Sequence, residues 1–120
     1  MSRYAIRQEI LNLQRENNQI KRKISQCERT INRLNDINEN LRESLQQVNN
    51  AEGLLEENVI GNKAADKGHA SECINNIKKA ISKIQNLISK ITNQINRYNN
   101  EINKNENRIA NLKVQLQNMD

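Results

Sequence analysis

The chain has 120 residues, a length for one domain, and combines 35% hydrophobic residues with no Trp, Phe or Pro. That is too little bulky apolar material for a globular core of several packed layers. Its formal charge of +5 is uneven, because residues 1–58 carry equal numbers of basic and acidic side chains and the excess falls in the second half.

Helix one is expected over about residues 3–58, with Ser2 as its N-cap. From Ile6 the apolar residues recur at alternating steps of four and three: Ile6, Ile10, Leu13, Ile20, Ile24, Cys27, Ile31, Leu34, Leu41, Leu45 and Val48. Asn17 and Asn38 fill the two gaps. This is a coiled-coil heptad sustained over about six repeats, and a disordered chain has no such order. With Ile10 at position a, Asn17 and Asn38 are also at a, while Leu13, Ile20, Cys27 and Leu34 are at d. Leu55 and Val59 continue the phase.

A turn region is expected over about residues 59–70, centred on Val59, Ile60, Gly61 and Asn62. Residues 49–73 hold all three glycines and the single His. Gly61 suits the left-handed conformation that ends a helix, and Asn62 suits the cap of the next. The spacing is compatible with Gly68 before helix two and with Gly68 inside it.

Helix two is expected over about residues 71–119. Its repeat runs Ile74, Ile77, Ile81, Ile84, Ile88, Ile91, Ile95, Tyr98, Ile102, Asn105, Ile109, Leu112, Leu116, Met119. The pure repeat alone would extend about 70 Å at the α-helical rise. Its heptad phase is offset by one residue from that of helix one, an offset that a turn removes and a single rod would have to absorb.

An antiparallel hairpin turning at Gly61 puts every a residue of one helix opposite a d residue of the other: Ile6 with Leu116, Ile10 with Leu112, Leu13 with Ile109, Ile24 with Tyr98, Leu45 with Ile77. A slip of one heptad keeps that matching. The core polar layer breaks the tie, since Asn17 meets Asn105 only in this register, where each amide satisfies the other. Asn38 falls opposite Ile84 and is unpaired, which points to a group from another chain. Leu11, Ile37, Leu54 and Leu87 lie beside the seam and widen it. Ile at both a and d of helix two favours more than two strands in parallel coiled coils. The expected fold class is therefore all-α, a long two-helix antiparallel coiled-coil hairpin that forms part of a bundle of at least four helices.

No enzymatic chemistry is expected. His69 and Cys73, four apart, share a helical face, but metal sites take three or four ligands. Cys27 would lie about 33 Å away along the axis at the helical rise, beyond the ~7 Å Cα separation of a disulfide. Two cysteines make no disulfide framework, and nothing in the chain suggests a cofactor. The carboxylates sit on polar faces, and Tyr98, with Ile102 four residues on, reads as a core aromatic. Lys78, Lys79, Lys83, Lys90 and Arg97 form a basic stripe with no acid between Glu72 and Glu101. We read it as a solvated face or a contact for an acidic partner. Nucleic acid is the weaker reading, because stacking aromatics and a base-reading motif are missing. No run approaches the roughly 18 apolar residues of a membrane span, so integral membrane insertion is not expected. The start, Met1-Ser2-Arg3-Tyr4, lacks a signal-peptide pattern. The chain is expected to be cytoplasmic as synthesised, any secretion using a route independent of a signal peptide.

The hairpin resembles the WXG-like small helical hairpins of the type VII (ESX-like) secretion system, in particular those that accompany LXG-domain toxins in Gram-positive bacteria. Val59-Ile60-Gly61 stands where that family has Trp-x-Gly, Ala64 matches its following small residue, and Gly68 stands near its usual aromatic. The resemblance spans the chain in architecture, but in motif only Gly61 and Ala64. It implies a non-enzymatic adaptor that binds the helical N-terminal domain of a toxin, or a related small hairpin, and supports its export. The alternative is a structural coiled coil that assembles with itself.

Overall fold

The structure, a computed structural model, describes residues 2–57 and 63–119, with side chains described for 2–51 and 68–119. The expected turn residues Val59, Ile60, Gly61 and Asn62 lie outside the described residues. The fold is all-α: α1 (Arg3–Glu57) and α2 (Lys63–Gln117), 55 residues each, pair as an antiparallel coiled-coil hairpin. Ser2 caps α1, its Oγ accepting the Ala5 N–H at 3.1 Å, which satisfies one of the donors a helix start leaves unpaired. No acid occupies the first turn of α1 and no base the last turn of either helix. Charge therefore does little for those three helix ends, and the seam carries the stability.

α2 begins at Lys63, well before the start near residue 71 that the apolar repeat suggests. Residues 63–72 contain Ala64, Ala65 and Ala70 and no Pro or β-branched residue. Helix propensity extends the helix there without an apolar stripe, and periodicity registers only the stripe. Gly68 consequently sits inside α2, exposed, with no atom within 4 Å of where a Cβ would stand.

Packing divides the chain into two units: Met1–Thr30 with Ile91–Asp120, and Ile31–Lys90. In the first, Ile6, Ile10, Ile109 and Leu112 are buried as one cluster with Leu13 and Leu116 against it. These six residues are the members of three successive expected layers. Contacts run in opposite directions along the two helices: Glu9 reaches Arg108, Asn17 reaches Asn105, and Lys23 reaches Tyr98. In the second unit the same heptad positions are occupied, yet Ile74 and Asn38 are the only buried residues among those described. Leu34, Leu41, Leu45, Val48, Ile77, Ile81, Ile84 and Ile88 are all half-buried.

Gly68→Ala replaces a poor helix former with the best one at a site with open space for a methyl group. The substitution should stabilise the chain by about 0.5–1 kcal/mol, read as a rise in the urea midpoint at unchanged slope. A fall would show that residue 68 is not in a helix interior.

Candidate functional site

Within the first unit, the polar layer fixes how α1 and α2 align. Asn105 Nδ2 donates to Asn17 Oδ1 at 2.9 Å, and Asn17 Nδ2 donates to Glu106 Oε1 at 3.2 Å. Asn17 is only 3% exposed, so both ends of its amide are satisfied in a site that water hardly reaches. Glu106 is a partner the heptad argument missed, though it directly follows core residue Asn105 and so flanks the seam. Outside this layer, Arg108 Nε donates to Glu9 Oε1 at 3.1 Å on the surface, where a solvated pair contributes at most about 1 kcal/mol. Lys23 Nζ lies 5.9 Å from the Tyr98 ring centroid, so the half-buried Tyr98 is a seam residue covered by a cation.

The second unit has a different polar residue at a core position. Asn38 is buried, and its Oδ1 has no hydrogen-bond partner. An unsatisfied buried acceptor costs about 1–3 kcal/mol. Asn38 borders a groove of about 620 Å³ lined by Asn35, Glu39 and Arg42 of α1 and Gln85, Ile88 and Ser89 of α2. In heptad terms Asn35, Arg42 and Gln85 are e residues, and Glu39 and Ser89 are b residues. Reversing one helix brings like-lettered flanks to the same side, so this groove is the e/b side of the seam. The g and c residues make the opposite side.

That phase sorts the five residues of the basic stripe. All five are exposed. Lys78, Lys79, Lys83 and Lys90 belong to the second unit and Arg97 to the first. Lys83 and Lys90 share the c line, Lys78 is an e residue on the other flank, and Lys79 at f points away from the seam. A run in sequence is thus not one stripe in space. His69 and Cys73 are exposed on α2 and Cys27 is half-buried; both thiols are unbridged. Among the described residues no three His, Cys, Asp or Glu side chains are placed to hold a metal ion. No described helix is long and apolar enough to cross a membrane. Compared with known protein families, curated proteins and solved structures, the chain matches none.

The amide layer makes a two-sided prediction. Asn17→Leu or Asn105→Leu alone leaves a polar group unpaired and should destabilise by about 1–3 kcal/mol. The double substitution removes both amides and should recover most of that loss, with a coupling energy of at least about 0.5 kcal/mol in a double-mutant cycle. Additive losses would show that the two residues do not meet.

Proposed function

We propose that the protein is a non-enzymatic helical adaptor whose seam is completed by helices of another protein. The observation that carries this reading is the half-buried ladder of the second unit, where nine apolar residues at core positions, Ile31 among them, are only partly covered. Fully burying a Leu or Ile side chain contributes about 1.5–3 kcal/mol relative to leaving it exposed. A covering helix therefore has several kcal/mol to gain. Contiguous apolar surface of this kind marks interaction sites rather than ordinary solvated faces. At the finer level we propose the partner implied by Val59-Ile60-Gly61 and Ala64, the helical domain of a type VII-secreted LXG-type toxin, with the adaptor supporting its targeting.

A second reading is self-assembly. Asn38 favours it, because the donor its Oδ1 lacks is one that the amide of another Asn38 carries. The two readings separate on what the chain binds at native stoichiometry. Co-expression with the product of the neighbouring gene should give a heteromeric complex that survives gel filtration, with the purified chain alone sedimenting as a weakly associating species. A tight homo-oligomer indifferent to the neighbouring product would instead establish self-assembly.

A further inference from the structure

We infer that the g/c side of the second unit, centred on Ile37 and Leu87, is the docking face for an acidic amphipathic helix of a different protein. This rests on the adaptor reading and names the chemistry of its partner. Ile37 is 46% exposed and Leu87 45% exposed. They occupy facing g positions on α1 and α2, so their side chains extend the half-buried seam outward on one side. Such a pair adjoining an incompletely covered core differs from a scattered surface Leu, and it gives an incoming helix two anchors.

Charge identifies the occupant. The same side carries Arg33 on α1 and Lys83 and Lys90 on α2, and none of its described g or c residues is a carboxylate. None of the three cations forms an ion pair among the described residues. The acids of this stretch of α1, Asp36, Glu39 and Glu43, lie at f, b and f, away from this side. A second copy of the chain docked here across a twofold would set Arg33 and the lysines against their own kind, which opposes association. A helix with an apolar stripe between Glu or Asp residues fills the apolar anchors and pairs the cations together. The basic side chains then select the partner and its orientation, while Ile37 and Leu87 hold it.

The probe is a synthetic peptide of roughly four heptads, with Leu at a and d and Glu at e and g, compared by calorimetry with the same peptide carrying Lys in place of Glu. The acidic peptide should bind the full chain at least about tenfold more tightly, and the difference should shrink as salt is raised. Ile37→Ser with Leu87→Ser should weaken acidic-peptide binding by at least about tenfold while leaving the far-ultraviolet circular dichroism unchanged. Lys83→Glu with Lys90→Glu should reverse the preference between peptides. Equal binding of both peptides, or indifference to the Ser substitutions, overturns the inference. So does a homodimer that the Ser substitutions dissolve, or salt-sensitive binding to duplex DNA or anionic vesicles that the Glu substitutions abolish. If the complex with the neighbouring gene product forms and persists in the Ser variant, the adaptor reading stands and this docking face does not. If no such complex forms with wild type, the adaptor reading itself fails.

Discussion

The hydrogen bond from Asn105 Nδ2 to Asn17 Oδ1 constrains the hairpin more than any other single contact. An Ile ladder is tolerant of slippage, because one Ile packs against the next almost as well as against the one after. A buried amide is not tolerant, since a slip of one heptad would separate the two Asn side chains and leave each without its amide partner at about 1–3 kcal/mol. The alignment of the two helices in the first unit, and with it the cluster of Ile6, Ile10, Ile109 and Leu112, follows from that intolerance. Asn38 applies the same chemistry with the opposite result: it occupies an equivalent position, but its Oδ1 has no donor.

Two helices share one line of contact, and a heptad with Ile at both a and d supplies more apolar surface than one line can cover. In the first unit Ile6, Ile10, Ile20, Ile109 and Leu112 are nonetheless buried. In the second, nearly every core position is half-buried, and Ile37 and Leu87 add exposed surface at its edge. The hydrophobic effect grows with area removed from water, so the exposed part of this ladder contributes no stabilisation to the hairpin itself. That deficit links packing to the proposed role: binding would complete the fold's own seam rather than fill a preformed pocket.

Much of the architecture was legible in the sequence because coiled-coil geometry maps almost linearly onto spacing. The phase offset between the two repeats implied a reversal, and Asn17 with Asn105 implied its register. Three things were not legible. The start of α2 was missed because residues 63–72 are helical through propensity, with Ala64, Ala65 and Ala70, and show no apolar stripe. The degree of coverage along the seam was missed because identical heptad letters are buried at some layers, as at Ile10 and Leu112, and half-buried at others, as at Ile24 and Ile81. The lysines read as one stripe because they lie close in sequence, whereas their heptad letters assign Lys78 and Lys83 to different flanks. The proposed function was least legible, for a physical reason: helix-to-helix recognition uses ordinary Leu, Ile and Lys residues, which carry no chemical signature of their own.

The register is tested most directly by disulfide cross-linking within the chain. In a background where Cys27 and Cys73 are replaced by Ser, Asn17→Cys with Asn105→Cys should oxidise rapidly at low protein concentration, giving a cross-linked monomer, because facing core positions bring the Cα atoms within about 7 Å. Cysteines introduced at 17 and 112, or at 17 and 98, should stay reduced under the same conditions. Efficient linkage of either of those pairs, with 17 and 105 remaining reduced, would contradict the account.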